Sequence, residues 1–300
     1  MRAGTAESAS ILTTVRRGRE KEDRELESGN TLGPYHLDAL IGEGGMGLVF
    51  RATHEWSGNV VAVKVLKREL TQDDMFKKRF KQEVRASGEI RNRHLVPIVE
   101  AGESDGRQYL VVGYVAGGTL EDRLKEKGQL SVDDALRVAE NLAEGLDALH
   151  AAGVVHRDIK SSNILFDTDG AAMLTDFGLA KGRAYTVLTR PGQVVGTLDY
   201  LAPELIKGKP ATALTDIYAL GCTVFECVTG DTPFGDKTLF QVGLAHLEEA
   251  PPDPSVARPD LPPELGRAIL TALAKEPEQR PQSAGAYVSI LRGFAGALQG

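Results

Sequence analysis

The pattern of apolar and polar positions divides the chain into a strand-rich first part and a helical second part. In the first part, short apolar or alternating runs are separated by glycine-rich turns, a pattern typical of strands, and these runs lie at 35–41, 48–53, 59–66, 96–100 and 109–112. A charged stretch at 73–90 predicts one helix between the third and fourth runs. The first part is therefore expected to be a small antiparallel sheet with one inserted helix.

The second part begins after a glycine-containing break at 113–118. Thr119 is followed three residues later by Asp122, and Ser131 by Asp134, which is the spacing of a capping side chain and an acid at the start of a helix. The second pair opens an amphipathic stretch whose apolar positions recur every three or four residues. Helices are predicted at 132–151, 216–229, 239–247, 264–274 and 284–298, with a proline-rich loop at 251–263.

These patterns predict an α+β fold of two lobes with a cleft between them. The predicted domain spans 31–298 and consists of an N-terminal lobe at 35–112, a hinge at 113–118 and a helical C-terminal lobe at 119–298. Residues 1–30 are polar and are interpreted as a disordered or regulatory tail.

Composition narrows the classes of function. The net charge of −7 argues against a broad nucleic-acid-binding surface, which requires a basic field. Cys222 and Cys227 lie in an apolar helical stretch and are predicted to be packed thiols in a reducing, cytoplasmic protein. The most apolar stretch, 217–228, contains Glu226 and is shorter than the roughly 20 residues that a bilayer requires, so a buried helix is expected there. No membrane segment is predicted in this chain, and an anchor outside it stays open.

A glycine-rich segment is the first candidate for chemistry. Gly42, Gly44 and Gly47 match G-x-G-x-x-G, in which glycines let backbone N–H groups approach phosphate oxygens. A dinucleotide-binding fold requires a helix after this loop and an acid about 20 residues on. Here a strand follows, and the prominent downstream residue is the cation Lys64. The segment therefore favours a hairpin over a nucleotide, with Val49 on the adenine, although this motif alone leaves an ordinary glycine turn open.

Further motifs follow in order along the chain, namely VAVK at 61–64, HRDIKSSN at 156–163, DFG at 176–178 and APE at 202–204. Together with GEGGMGLV at 42–49, this set resembles the protein kinases, and its wording is most similar to bacterial Hanks-type Ser/Thr kinases. The resemblance covers about 35–292 and implies transfer of the ATP γ-phosphate to protein Ser or Thr hydroxyls.

The resemblance assigns catalytic roles to individual residues. It implies that Asp158 orients the acceptor hydroxyl and acts as a base, and that Lys160 reaches the γ-phosphate, a pattern of Ser/Thr kinases. Lys64 lies in mid-strand among apolar residues, where a lysine is costly unless paired, and is implied to hold the α- and β-phosphates. Its implied partner is a helix glutamate, for which Glu83 is favoured and Glu89 is the rival.

The resemblance also implies the ligand sites. Asn163 and Asp176 offer oxygen ligands for Mg²⁺, a hard cation, with Mn²⁺ as an alternative. The implied nucleotide-binding residues are Ile41, Gly42, Gly44, Gly47, Val49, Ala62, Lys64, Gly113, Val115 and Leu165.

Regulation is implied by residues on both sides of the DFG motif. In the family, the arginine before the catalytic aspartate, here Arg157, binds a phosphate on the activation segment. By resemblance, this segment runs from Asp176 to Glu204. Thr186 or Thr189 is the candidate autophosphorylation site, and the alternative is that both are solvent-facing loop threonines. Thr197 is expected to hydrogen-bond Asp158 and Lys160.

Other polar residues are expected to be structural. Asp216 resembles the family residue that ties down the catalytic-loop backbone, and Glu204 with Arg280 matches a pair joining the activation segment to the lower lobe. Two positions depart from the family pattern: Gly113 stands where an acid is common, and Ser161 replaces a frequent proline with little expected effect.

Alternative functions predict a different set of residues. A pseudokinase scaffold predicts loss of Lys64, Asp158 or Asp176, all of which are present. A small-molecule kinase of the same fold usually lacks the Lys160 pattern. The expected partners are protein substrates and, by resemblance, a second copy bound through the N-terminal lobe.

Overall fold

The structure is a computed structural model, and it describes residues 26–44, 46–72, 74–177 and 198–295. The described residues form two compact units. The sheet unit comprises those up to residue 72 together with Val99–Tyr114, and the helical unit comprises those of Asp74–Ile98 and Val115–Gly300. The predicted lobe boundaries stay a prediction. Within the described ranges, no helix is both long and apolar enough to cross a membrane.

The sheet unit is built around a six-stranded sheet in the order β1-β2-β3-β4-β6-β5. Strands β2, β3, β4 and β6 pair antiparallel in that sequence. A short helix, α1 (Arg68–Thr71), follows β4 and was not predicted. The strands are β1 (Thr31–Leu32), β2 (Tyr35–Gly44), β3 (Gly47–His54), β4 (Val60–Leu66), β5 (Ile98–Ser104) and β6 (Arg107–Gly113).

Alternating side chains of these strands form an apolar core. Phe50 and Ala52 of β3 point to the same face and are fully buried, as the two-residue period of a strand requires. Tyr109 of β6 packs edge-on against Tyr35 of β2. The core is completed by Leu32, Leu37, Val61, Val63, Val65 and Val111.

A tight turn joins the last two strands of the sheet unit. Asp105 and Gly106 have φ values of 50° and 69°. Two successive residues with positive φ are characteristic of the primed turns that match the twist of a hairpin, and Asp-Gly is a preferred sequence for them. This signal was present in the sequence, and it explains why β5 ends and β6 begins several residues away from the predicted strand limits.

The helical unit contains nine α-helices and a two-stranded antiparallel sheet among its described residues. The strands are β7 (Ile164–Phe166) and β8 (Ala172–Leu174). The helices are α2 (Asp74–Gly88), α3 (Leu120–Lys127), α4 (Val132–Ala151), α5 (Pro203–Ile206), α6 (Ala213–Thr229), α7 (Leu239–Glu248), α8 (Pro254–Ala257), α9 (Pro263–Leu270) and α10 (Ala284–Ala295).

Helix starts in this unit follow the predicted capping signals. The Thr119 hydroxyl accepts from the backbone N–H of Asp122, and the Asp122 carboxylate accepts from the backbone N–H of Thr119. Ser131 accepts from the backbone N–H of Asp134 in the same way. Such caps satisfy N–H groups that have no partner inside the helix. Helix α4 has the predicted limits of 132–151.

Helix α6 lies at the centre of the helical unit, and its residues from Thr215 to Val228 are all buried. Gly221 permits close packing, since a Cβ there would lie 2.7 Å from the Cβ of Ala272. Cys222 and Cys227 are buried free thiols, as predicted, and burial raises the pKa of each. The two buried carboxylates of this helix, Asp216 and Glu226, therefore require partners inside the protein.

Candidate active site

The glycine segment forms a hairpin between β2 and β3. Gly42 is opposite Val49, and Gly44 is opposite Gly47. Gly47 is needed by the fold, because its φ is 155° and a Cβ there would overlap the carbonyl oxygen of Val65 on β4. A Cβ on Gly44 would meet nothing within 4 Å. The space beside Gly44 is therefore available to a ligand without any rearrangement of the protein.

Lys64 lies in the middle of β4, opposite Val49 on β3 and Leu110 on β6. It is half-buried, while its neighbours Val63 and Val65 point into the apolar core. The strand thus presents the ammonium group on the face opposite the core.

The other predicted nucleotide-binding residues are divided between the two units. In the sheet unit, Ile41 is 48% exposed on β2, Ala62 is buried on β4, and Gly113 ends β6 opposite Val61. In the helical unit, Val115 is half-buried, and Leu165 lies in the middle of β7, where it forms a β-bridge with Thr119.

The loop that carries the HRDIKSSN motif, 156–163, is the predicted catalytic loop, and a buried aspartate at the start of α6 holds it. Asp216 is 1% exposed, and its carboxylate accepts from the backbone N–H groups of His156 and Arg157, each at 2.8 Å. His150 Nε2 lies 2.8 Å from Asp216 Oδ2. Arg157 has a φ of 69°, an unfavourable conformation for a non-glycine residue. The Asp216 contacts hold the loop in this conformation, in agreement with the predicted anchoring role.

The Asp158 carboxylate is surrounded by the other predicted loop residues. Lys160 Nζ lies 3.2 Å from Asp158 Oδ2. The Asn163 side-chain amide donates to Asp158 Oδ2 at 3.0 Å and to the Asp158 backbone oxygen at 2.7 Å. Because the Asn163 amide nitrogen faces Asp158, its side-chain oxygen is the atom suited to a cation.

Asp176 follows β8 and has a φ of 63°. The backbone N–H of Thr175, the residue before it, donates to the Asn163 backbone oxygen at 3.1 Å. Phe177 is buried with its ring 6.2 Å from that of His156. Burial lowers the pKa of His156 despite the nearby carboxylates, so this ring is neutral and serves packing. These contacts bring Asp176 and Asn163 to one part of the loop.

Helix α2 presents Glu83 towards the catalytic loop. Glu83 Oε1 lies 3.6 Å from Arg157 Nη1, and both side chains are partly buried. Glu89, the rival candidate, is exposed and lies beyond the end of the helix at Gly88, not on it as the sequence had suggested. Glu83 is therefore the glutamate that the described helix directs towards the catalytic loop, and its pairing with Lys64 stays a prediction.

The predicted residues Thr186, Thr189 and Thr197 lie outside the described residues. Their assigned roles stay predictions.

Glu204 and Arg280 are buried and pair with each other, as predicted. Arg280 donates through both terminal nitrogens to the two Glu204 carboxylate oxygens at 2.8 Å. Burial opposes ionisation of Glu204, but the hydrogen bonds and charge of Arg280 outweigh it and hold the pKa of Glu204 below its usual range. Helix α5 begins within the APE motif. The two parallel hydrogen bonds fix it against the segment that contains Arg280.

Comparison with known families decides the classification. Residues 35–288 match the model described as the protein kinase domain. The chain belongs to the protein kinase family. The α+β protein kinase fold predicted from the motifs is thereby confirmed.

The curated relatives of this kinase domain include mycobacterial proteins. It is 40% identical over 257 residues to Serine/threonine-protein kinase PknH of Mycobacterium tuberculosis, a match that covers 86% of the chain and 41% of that relative. It is 39% identical over 261 residues to PknE of the same species, covering 87% of the chain and 46% of the relative. The chain thus spans less than half the length of these relatives.

Solved structures agree with this assignment. The crystal structure of the M. tuberculosis PknI kinase domain superimposes with a TM-score of 0.74 at 28% identity, covering 91% of this chain and all of that one. The identification of this chain as a bacterial-type Ser/Thr protein kinase domain is confirmed by these matches.

Sequence reasoning missed one group of buried polar residues. Ser161 was expected to have little effect, but it is 3% exposed and hydrogen-bonded to Tyr200 and Glu226. A signal was present, because a carboxylate within an apolar helix needs partners. The sequence did not indicate which residues those partners are, because Ser161 and Tyr200 are far from Glu226 along the chain.

Proposed function

We propose that this kinase domain transfers the γ-phosphoryl group of ATP to Ser and Thr hydroxyls of proteins. The observation that carries the proposal is the contact of Lys160 and Asn163 with the Asp158 carboxylate, on a loop whose backbone Asp216 holds. Phosphoryl transfer depends mainly on positioning and charge stabilisation. A preorganised cluster of one base, one cation and one amide supports that reaction.

On the acceptor side, Asp158 accepts a hydrogen bond from the substrate hydroxyl and receives its proton as the new O–P bond forms. Lys160, 3.2 Å from the same carboxylate, stabilises the negative charge of the phosphoryl group during transfer. Asn163 holds Asp158 from the other side, so that the carboxylate keeps one orientation.

On the nucleotide side, the hairpin of Gly42, Gly44 and Gly47 covers the phosphates with its backbone N–H groups. The open space beside Gly44 supports this role, because no described protein atom lies close enough to exclude a Cβ at this position. Lys64 binds the α- and β-phosphates, and its pairing with Glu83 is part of the proposal. Ile41, Val49, Ala62, Gly113, Val115 and Leu165 enclose the adenine.

The metal site is proposed at Asn163 and Asp176. In the described part of the chain, no group of three or more His, Cys, Asp and Glu side chains is arranged to hold a metal. Mg²⁺ is usually bound by one or two protein oxygens together with substrate phosphates, and two oxygen ligands fit that mode. When bound, Mg²⁺ or Mn²⁺ neutralises phosphate charge, while Asn163 and Asp176 orient it.

Regulation through Thr186 or Thr189 is also proposed. A phosphate on either threonine would carry close to two negative charges and would pair with Arg157. Arg157 already lies 3.6 Å from the Glu83 carboxylate, which supports its ability to bind an anion. Phosphatase treatment is expected to lower the initial activity, and full initial activity after treatment would exclude such a switch.

The finer assignments of partner and location are proposals as well. A homodimer through the sheet unit is supported by Trp56, which is 85% exposed in the β3–β4 turn, close to the exposed Val60. Trp56→Glu should then shift sedimentation towards monomer. Two buried free cysteines support a reducing, cytoplasmic location.

The test measures radioactive phosphate incorporation from Mg-ATP into the chain and into myelin basic protein. Asp158→Asn should lower incorporation by about 10²–10⁴-fold while ATP still binds. Asp167→Asn is the matched control, because the hydrogen bonds described for the Asp167 carboxylate come from the backbone N–H groups of Asp169 and Ala171 in its own turn. Undiminished incorporation by Asp158→Asn, or none by the wild type, would contradict the proposal.

A further inference from the structure

Three polar side chains from separate elements meet beneath the catalytic loop. Ser161 Oγ donates to Glu226 Oε1 at 3.0 Å, and Tyr200 OH donates to Glu226 Oε2 at 2.7 Å. Ser161 Oγ and Tyr200 OH are 3.0 Å apart. All three residues are buried. The catalytic loop, the turn Leu198–Tyr200 and helix α6 are therefore joined at one point.

This network carries an energetic cost. Burial raises the pKa of Glu226 to about 7, although hydrogen bonds from Tyr200 and Ser161 oppose the shift. Burial and the Glu226 charge raise the pKa of Tyr200. Apolar residues of similar size often replace a buried charge with no loss of stability. A contribution to position, rather than to stability, is therefore the better explanation for the network.

The location of the network indicates what it positions. Ser161 directly follows Lys160, which contacts Asp158 at 3.2 Å. Tyr200 lies in the turn that leads into the APE motif and α5. A cavity of about 330 Å³ is bordered by Lys160, Ser161, Tyr200 and Glu226. Because Lys160 contacts Asp158, this cavity lies beside the carboxylate to which the acceptor hydroxyl is proposed to bind.

We propose that Ser161 is a positioning residue for the protein acceptor, because it holds Lys160 and Tyr200 in a fixed relation through Glu226. This inference rests on the proposed kinase function. Ser161 makes no contact with reacting atoms. Its loss should leave the nucleotide side unchanged and let the two acceptor-facing segments move apart.

The test is steady-state kinetics of Ser161→Ala with myelin basic protein as the acceptor. The carboxylates Glu121, Asp199 and Asp231 also border the cavity, so a basic acceptor suits it. The KM for the acceptor should rise about tenfold, the typical effect of losing a hydrogen bond to a charged group, while the KM for ATP stays within about twofold. Ser289→Ala is the matched control, because the Ser289 hydroxyl also donates a hydrogen bond, to the Gly285 backbone oxygen, but Ser289 does not border this cavity.

Tyr200→Phe provides an independent variant, and the double variant completes a cycle. If the two hydroxyls act through Glu226 as one unit, the double variant should have an acceptor KM close to that of the more impaired single variant. Thermal unfolding of each protein shows whether it is folded under the assay conditions.

Three results would overturn the inference. An acceptor KM for Ser161→Ala within about twofold of the wild type would remove its basis, as would an equal loss towards ATP and acceptor, which indicates general destabilisation. Additive effects in the cycle would show that the hydroxyls act separately. A wild-type chain that binds ATP and phosphorylates no acceptor would overturn the proposed kinase function itself, so the two failures are distinguishable.

Discussion

The sheet unit and the helical unit are stabilised by different interactions. In the sheet unit, the core is apolar apart from its tyrosine hydroxyls, and its described residues include no buried carboxylate or basic side chain. In the helical unit, Asp216, Glu226 and the pair of Glu204 and Arg280 are all buried. The residues proposed to perform chemistry on the acceptor side are attached to this second, polar framework.

The difference shows two ways of preparing a site. Strand pairing and apolar packing hold the glycine hairpin at its base, while the open space beside Gly44 leaves room for a ligand. The buried Asp216 carboxylate holds the catalytic loop at two backbone N–H groups at once. Directional hydrogen bonds fix atomic positions more closely than apolar contacts do, and they cost desolvation energy.

The largest effect is expected from removing a buried charge of the helical unit. Arg280→Met should lower the free energy of unfolding by about 3–5 kcal/mol, since Glu204 would remain buried without a counterion. Three backbone carbonyls, of Ala274, Leu214 and Lys275, would also lose a donor. Urea unfolding measures the change.

The control for that experiment is a solvent-exposed ion pair of the same residue types. Arg292 contacts Glu140, but both side chains are roughly 40% exposed. Arg292→Met should cost less than about 1 kcal/mol, because solvent screens exposed ion pairs. If the two variants lose the same free energy of unfolding, burial does not determine the strength of these ion pairs, and the comparison of the two units fails.

The next effect concerns the anchor of the catalytic loop. Asp216→Ala should lower stability by about 2–4 kcal/mol, because two buried N–H groups lose their acceptor, and activity by about 100-fold or more as the loop loses its geometry. Asp147 is the matched control, since it accepts from the N–H groups of Ala284 and Gly285 at the start of α10. Asp147→Ala should cost stability but leave kcat nearly unchanged. A similar fall in kcat for both would refute the anchoring role.

A third, smaller effect is a pH dependence that belongs to the helical unit. The pKa of Glu226 is raised on folding from its ordinary value of 4.5 to about 7, so the folded state binds this proton more tightly. Its contribution to stability is fully present below about pH 4.5 and is lost as the pH rises through about 7. Between about pH 5 and 8, the wild type should lose about 2 kcal/mol more than Glu226→Gln. Parallel stability curves for the two proteins would contradict the assignment.

The smallest effect is expected in the sheet unit. Gly47→Ala should cost about 1–2 kcal/mol, because the new Cβ would overlap the Val65 carbonyl oxygen and β3 would have to shift. Gly44→Ala should leave stability unchanged and raise the KM for ATP, since only the ligand needs that space. Thermal unfolding and ATP titration separate the two, and the prediction is wrong if both variants lose stability equally.

The sequence was most informative where local chemistry determines structure. Capping pairs located the starts of α3 and α4, and the apolar period located the length of α4. Motif resemblance located Asp158, Lys160 and Asn163, and the structure brings these three together. Their roles in catalysis stay predictions until activity is measured.

What the sequence did not show depends on contacts between distant residues. Ser161 and Glu226 are 65 residues apart, and no local pattern connects them. Helix α8 begins at Pro254 inside a stretch predicted to be a loop, because Asp253 caps it through the backbone N–H of Ser255. Short helices of this kind have too few residues to produce an apolar period.

The contact between Glu204 and Arg280 also has a consequence for synthesis on the ribosome. The two residues are 76 positions apart, and the chain emerges from its N-terminal end at about 5–20 residues per second. For several seconds the Glu204 carboxylate is therefore present without its guanidinium partner, and burying it then would leave an uncompensated charge. The segment around α5 is accordingly a part of the helical unit that completes its folding late, after Arg280 has emerged from the ribosome.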